Sequence, residues 1–335
     1  MTAFNRKISI VAIGRNEGER LDRCLRAALA TGSTVVYVDS GSSDGSAALA
    51  RAAGCSVVEL DPAQPFTAAR ARNEGFAQAT AEAPQSEFVQ FIDGDCELDP
   101  GWLERAAAAL DARSDVALVR GHLREVNPHA SVYNRLCDLE WEQTPGEIRA
   151  CGGIFLARAE AFRAAGGFRP DVIAAEDDEF CVRIRRLGYK LLMLEAPMAR
   201  HDAALMSFGQ WWQRARRAGH AYAQVAALHG ASEERYFAPE RRRIYVWALA
   251  LPAAALALAP LTDGLSMVML FAAYAAQLVH IARGCRRRGW PADSAFLYAC
   301  FAVVSRFPGL QGMLQYHWRR YAGRAPAIIE HKRSS

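Results

Sequence analysis

The chain has 335 residues, 51% of them apolar, and a formal net charge of +4; this is long enough for a large α/β domain with an appendage and a sizeable core. Eight cysteines are scattered with no CxxC pair and no metal-finger spacing, which excludes a thiolate finger and reads as reduced, buried thiols in a cytosolic setting. Residues 1–200 hold 23 Lys/Arg against 29 Asp/Glu, whereas 201–335 hold 17 against 7; the basic part also carries the apolar runs, so it points to an anionic membrane surface rather than to nucleic acid.

From the amino end, residues 1–7 run straight into a β-branched apolar run at 8–13, with no secretory apolar segment ahead of it. Gly14-Arg15-Asn16-Glu17-Gly18 follows, then a helical pattern over 19–29. A strand at 34–38 ends at Asp39-Ser40-Gly41-Ser42-Ser43-Asp44-Gly45-Ser46, and a helix runs on through 53. Residues 55–60 read as a third strand, 66–79 as a helix and 88–92 as a fourth strand. This alternation predicts a mostly parallel sheet with helices on both faces, which binds ligands beyond the carboxyl ends of its strands. Three of those ends carry polar clusters: Asn16/Glu17, Asp39/Ser40 and Asp93/Asp95.

The fourth strand stops at Asp93-Gly94-Asp95, and Pro100 opens a helix beginning Gly101-Trp102-Leu103-Glu104. If extended geometry persists, Asp93 and Asp95 share a face and both carboxylates meet one partner. Like charges this close favour an intervening cation, and oxygen ligands suit Mg²⁺, Mn²⁺ or Ca²⁺. The same residues also satisfy a simpler requirement, an Asp-Gly turn with Glu97 or Asp99 capping the next helix. Asp39 is likewise suited either to accept hydrogen bonds from a ribose or base, or, with Asp44, to cap the helix that follows. No Walker loop or GxGxxG is present, which argues against a dinucleotide fold.

A strand at 116–119 and a helix at 133–141 come next, then Cys151-Gly152-Gly153, whose glycines permit close backbone approach before an apolar strand. Glu176-Asp177-Asp178-Glu179 opens a helix running through 187. Four acids there favour the helix dipole; alternatively one of them acts as a general base beside a metal. Residues 189–194 read as a strand, and His201 follows in a loop.

The ordered set Gly14-Arg15-Asn16-Glu17, Val38-Asp39-Ser40-Gly41-Ser42, Ala71-Arg72-Asn73-Glu74-Gly75, Ile92-Asp93-Gly94-Asp95, Gly152-Gly153 and Glu176-Asp177 resembles the family 2 glycosyltransferases of GT-A fold, over roughly residues 6–220. The resemblance implies an inverting transfer of a sugar from a nucleotide diphosphate, UDP-sugar favoured, to a hydroxyl acceptor. It implies that Asn16 and Glu17 lie near the nucleoside, that Asp39 holds the base and that Arg72 faces the donor phosphates. Asp93 and Asp95 would hold a divalent metal (Mn or Mg) against the diphosphate, His201 would complete that metal site, and Asp177 would be the catalytic base. Acceptor-side candidates are Glu176, Trp211, Trp212 and Arg214; the two tryptophans suit either a stacked sugar or an amphipathic membrane-surface helix. Two departures stand out. Ser40 replaces the second acid of the family's Asp-Asp-Gly-Ser turn, and Gln213-Arg214-Ala215-Arg216-Arg217 only partly matches the Gln-x-x-Arg-Trp of processive members, which favours single-sugar transfer.

Uncharged runs at 244–261 and 265–282 are each near the ~20 residues that cross a bilayer core. Arginines 241–243 and 286–288 flank them, and Thr262-Asp263-Gly264 connects them. The positive-inside rule then predicts a hairpin with both ends in the cytoplasm; a pair of Ala-rich buried helices is the other reading. Residues 294–321, with Pro308 within them, suit an interfacial helix pair. The expected division is a GT-A domain over 1–225 and a membrane-associated helical region over 226–335. Such a tail resembles bacterial members that act in envelope or exopolysaccharide assembly, which implies an inner-membrane location, a cytoplasmic catalytic domain and a lipid-linked or glycan acceptor. A nucleotidyltransferase and a catalytically silent membrane scaffold are the competing classes; the first lacks a lysine-bearing glycine loop, and joint retention of Asp93, Asp95 and Asp177 opposes the second.

Overall fold

The computed structural model describes residues 8–324; the expectation about residues 1–7 lies outside the described residues. Two compact units form, residues 8–130 with 140–204, and residues 131–139 with 205–324. The expected boundary at 225 falls inside a helix of the second unit, Phe208–His229.

The first unit runs β1 (Ile8–Gly14), α1 (Glu19–Leu29), β2 (Thr34–Asp39), α2 (Ser46–Ala52), β3 (Ser56–Glu59), α3 (Ala68–Glu82), β4 (Phe88–Asp93), β5 (Cys96–Leu98), α4 (Trp102–Asp111) and β6 (Val116–Glu125). After α5 (Val132–Trp141), most of which belongs to the second unit, come β7 (Gly146–Glu147), β8 (Phe155–Arg158), α6 (Ala159–Ala164), α7 (Glu176–Arg186) and β9 (Lys190–His201). The sheet order is β3-β2-β1-β4-β8-β6-β9-β5, with β7 paired to β9. Strands β1 to β4 are parallel as expected. The other half is not: β8 lies antiparallel between β4 and β6, and β5 and β7 run antiparallel to β9, so the sheet is mixed.

Alternation along β1 divides the core between the two sheet faces. Ile8, Ile10 and Ala12 pack with α1 and α4, through Leu21, Leu25, Trp102 and Leu110. Val11 and Ile13 pack with α3, α6 and α7, through Ala71, Phe76, Phe162 and Phe180. Gly75 has a specific reason to be glycine: a Cβ there would stand 2.3 Å from Val11 Cγ1 and 2.9 Å from Val38 Cγ2. Helix α3 therefore lies directly on β1 and β2, and this seats Arg72, one turn earlier, at the strand ends.

The second unit holds α8 (Phe208–His229), α9 (Ala238–Tyr245), a π-helical stretch Val246–Ala250, α10 (Leu251–Leu258), a 3₁₀ turn Ala259–Leu261, α11 (Leu265–Arg287), α12 (Ala292–Val304) and α13 (Arg306–Tyr321). Ser207 caps α8 in a capping box with Gln210. Helices α8 and α13 touch backbone to backbone: a Cβ on Gly312 would lie 1.9 Å from the Arg216 carbonyl oxygen, and one on Gly219 would lie 2.0 Å from that of Gly309. The predicted interfacial pair breaks at Ser305, and Pro308 sits in the first turn of α13, where its missing N–H is harmless. The helical runs Ala238–Leu261 and Leu265–Arg287 are long and apolar enough to cross a membrane, and only 17% and 6% of their apolar windows are buried. Neither run is covered by the rest of the chain as a buried core helix would be.

The described cysteines are free thiols, buried except for the partly exposed Cys300.

Candidate active site

Strand register places three polar clusters side by side, because Gly14 pairs with Asp39 and Ile13 with Asp93 across parallel strands. The first two are wired together. Asn16, held at φ 54°, donates its N–H to Ser42 Oγ (2.9 Å) and accepts from the Ser43 N–H (2.7 Å). Asp44 accepts the Gly18 N–H at 3.0 Å, which ties the same two loops again. Asp39 is 2% exposed. Its Oδ1 accepts the Gly41 and Ser42 N–H groups (2.9 and 2.7 Å) and its Oδ2 the Tyr37 hydroxyl (3.1 Å). It organises this turn and does not cap α2, whose cap residue is Gly45 with no side-chain bond. Glu17 pairs with Arg20 at 2.9 Å and lies over Gly94.

The Asp-Gly-Asp stretch does not stay extended. The Gly94 N–H donates to the Ile13 carbonyl (2.8 Å), a turn follows, and the short strand β5 intervenes before α4. The turn sends the two carboxylates to different partners. Asp93 Oδ1 takes the Arg72 Nη2 donor at 2.7 Å, while Arg72 Nη1 donates to Glu176 Oε1 at 2.6 Å. Arg72 is 2% exposed, so this is a buried bridge in which one guanidinium spans an acid from β4 and an acid from α7. Gly153 packs against it: a Cβ there would fall 2.7 Å from Arg72 Nη2 and 3.0 Å from Asp93 Oδ2. Asn73 fixes the neighbouring turn, donating Nδ2 to the Phe168 carbonyl and accepting the Phe168 N–H, both at 2.8 Å.

Asp95 faces β9 instead. His201 is the last residue of that strand, not a loop residue as predicted, and it sits in register between Cys96 of β5 and Glu125 of β6. His201 Nε2 lies 3.3 Å from Asp95 Oδ2. One ligand atom each from Asp95, Cys96 and His201 fall within 4.8 Å of one another. Burial pushes the Cys96 thiol well up, so it stays protonated and donates to Asp95 Oδ1 at 3.2 Å. The cluster thus offers a carboxylate oxygen and an imidazole nitrogen, a mixed donor set that a divalent transition-metal ion such as Mn²⁺ can accept.

Of the four acids opening α7, Glu176 is bound to Arg72 and Glu179 to Arg183 (2.7 Å). Asp177 forms no ion pair among the described residues. Ala175, two residues before it, adopts φ 56°, ψ 37°, a left-handed residue that turns the chain into the helix with Asp177 in its first turn. Burial, then the neighbouring Asp178 and Glu176 carboxylates, push Asp177 up to about 8, against the pull of Arg72. A carboxyl poised there exchanges a proton near neutral pH, as a general base must.

The remaining candidates belong to the second unit. Trp211 is 3% exposed and packs edge-on against Phe301 with ring centroids 4.8 Å apart, so it is a core residue and not a surface for a stacked sugar. Trp212 Nε1 donates to Gln311 at 3.0 Å. Arg214 lies half-buried on the same helix. Sequence reading missed Glu125 and Trp141, which flank His201. Predicted to end at 119, β6 runs on to Glu125 through Arg120-Gly121-His122-Leu123-Arg124, a stretch too polar to signal a strand by apolar alternation.

Residues 9–164 match the family model described as Glycosyl transferase family 2. A similar curated protein is the glycosyltransferase AglE of Haloferax volcanii, 27% identical over 255 residues, which span 71% of this chain and 80% of the relative. Among solved structures, the mannosyltransferase PcManGT of Pyrobaculum calidifontis, in complex with GDP-Man and Mn²⁺, superposes with TM-score 0.60 at 18% identity, covering 94% of this chain and 88% of that one. Residues 1–349 of S. aureus TarS superpose with TM-score 0.53 at 16% identity, covering 93% and 91%. Residues 9–164, which hold the strand-end clusters and the sheet's first eight strands, thus resemble family 2 glycosyltransferases, and the fold is like that of these solved glycosyltransferase structures.

Proposed function

We propose that this glycosyltransferase moves a single sugar from a nucleotide diphosphate donor, UDP-sugar favoured, to a hydroxyl on a lipid-linked or glycan acceptor, with inversion at the anomeric carbon and at the inner face of a membrane. The carrying observation is the buried bridge Asp93–Arg72–Glu176, which locks the Asp-Gly-Asp turn to the helix start that presents Asp177. One guanidinium thereby ties a donor-side acid to the residue that precedes the candidate base. The turn already spanned by Asn16, Asp39 and Ser42 is a preformed seat for the nucleoside, since its backbone needs no ligand to order it.

Asp95 and His201 would hold the divalent metal, and Asp93, bridged to Arg72, lines the donor side beside Gly153. The donor set fits such an ion, and PcManGT was solved with Mn²⁺ and a nucleotide sugar. A bound cation supplies stabilisation of the negative charge that gathers on a departing diphosphate. Gly153, without a side chain, lets the sugar approach the Arg72–Asp93 pair. Asp177 takes the proton of the acceptor hydroxyl as its oxygen attacks, and approach from the face opposite the leaving group inverts the centre.

Membrane placement rests on the two exposed apolar helices and their flanking arginines. The test of the chemistry is Asp177→Asn. Transfer is expected to fall by roughly 10²-fold or more, the size of a lost general base, while UDP binding by calorimetry stays within a few-fold of the parent. Equal loss of both would remove Asp177 from the base role.

A further inference from the structure

His201 is enclosed by groups whose arrangement goes beyond the ligand role just proposed. Its Nε2 faces Asp95 Oδ2 at 3.3 Å. Its Nδ1 is buried and has no hydrogen-bond partner among the described residues. Glu125 Oε2 lies 3.9 Å from that nitrogen. This is too long for a hydrogen bond, so the bond requires the ring to shift toward Glu125. Trp141 meets the imidazole edge-on, with centroids 4.7 Å apart and planes at 82°, which limits the ring's other movements.

Glu125 itself is held in place. Its side chain is 0% exposed, its Oε1 accepts the Asn127 N–H at 3.2 Å and its Oε2 accepts the Ala203 N–H at 3.1 Å. Both donors are backbone groups of the segments that leave β6 and β9, so the carboxylate cannot swing away from His201 without breaking them. A buried carboxylate is costly to keep unless a positive charge or a donor compensates it. A histidine that binds a cation through Nε2 must carry its proton on Nδ1, and that N–H needs an acceptor.

We infer that Glu125 is a positioning residue of the cation site: its Oε2 accepts the Nδ1–H of His201 when Nε2 turns to the ion, which fixes the tautomer and aims the ring. The inference rests on the reading of Asp95 and His201 as cation ligands. It differs from a loop-anchoring role, which Glu125 also has through its two backbone contacts, in requiring His201 as the intermediary.

The test is titration of the detergent-purified full chain with Mn²⁺, with and without UDP, read by the electron paramagnetic resonance of the free ion. The set comprises the parent, Glu125→Gln, His201→Ala and the double variant. Loss of an outer-shell partner of a ligating histidine weakens metal affinity by roughly 10–100-fold, and that loss is expected for Glu125→Gln. The double variant is expected to bind no more weakly than His201→Ala alone. Glu125→Gln within twofold of a tightly binding parent would overturn the inference and leave the metal site standing. A further drop on adding Glu125→Gln to His201→Ala would overturn it too, by showing action through the loops. A parent that binds no Mn²⁺ would sink the site reading and the inference together. Should Glu125→Gln not fold, the remote-nitrogen coupling of His201 in the Cu²⁺-loaded parent decides: the coupling of a hydrogen-bonded Nδ1–H is expected, and that of a free one refutes it.

Discussion

At the scale of single residues, the site is a matter of which carboxylate has been left without a cation. Arg72 satisfies Asp93 and Glu176, and Arg183 satisfies Glu179, while Asp177 forms no ion pair among the described residues and has a raised proton affinity. Turnover limited by this base should climb with pH and level off around 8, the value to which Asp177 is pushed. A profile of kcat/KM against pH that is flat between 6 and 9 would contradict the assignment. The same shift makes a stability prediction. Because the folded form holds this proton more tightly than an unfolded Asp does, its contribution is full below the ordinary carboxylate range and is lost as pH rises through about 8. Asp177→Asn should therefore melt higher than the parent at pH 8.5, with the gap closing near pH 4. Arg72→Ala should be the harsher change. It leaves two acids unpaired, one of them buried, and breaking a buried pair in this way costs about 3–5 kcal/mol, readable in a urea unfolding midpoint. Sequence reading found Asp93 because it ends an apolar run at a turn, Glu176 and Asp177 because they open a helix, and Arg72 only through the family resemblance. It could not foresee that Arg72 is spent on Asp93 and Glu176, since a partner 104 positions away leaves no trace in local pattern.

At the scale of elements, close backbone approach decides where helices lie. Helix α3 rests on β1 and β2 only because Gly75 has no side chain. Gly75→Ala should cost about 1–3 kcal/mol by overpacking, and should lower activity by shifting Arg72, one helical turn away. A variant as stable and as active as the parent would show that the sheet gives way without cost. The parallel half of the sheet was legible, because β1 to β4 alternate with helices and carry β-branched apolar runs. The other half was not. Strand β8 was read as an apolar strand, but its antiparallel direction leaves no mark in the sequence; β5 has three residues and the distal part of β6 is polar, so neither of these yields an apolar period. His201 was accordingly read as a loop residue when it closes the long strand β9. The glycines that bring α8 and α13 into contact were equally silent, for a glycine inside a helical pattern does not reveal its neighbour.

At the scale of the molecule, charge and hydropathy divide the chain much as its compact units do. Acids dominate the part that holds the sheet, and arginines border two exposed apolar helices. Leu256, Leu261, Val268, Met269 and Phe271 each expose more than half of their surface, an arrangement that water disfavours and a lipid core would satisfy. The full chain should therefore sediment with membranes on expression in bacteria, resist carbonate extraction and require detergent for recovery; a soluble, monodisperse full-length chain without detergent would rule this out. The central claim is that a cation at Asp95 and His201 and the base Asp177 act on opposite sides of one activated sugar. The most direct measurement is anomalous diffraction from crystals containing Mn²⁺ and a non-hydrolysable UDP-sugar. The account predicts a manganese peak ligated by Asp95 and His201 and by the diphosphate, with the anomeric carbon between that diphosphate and the Asp177 carboxyl. A peak away from those two residues, or an Asp177 carboxyl on the leaving-group side of the sugar, would contradict it.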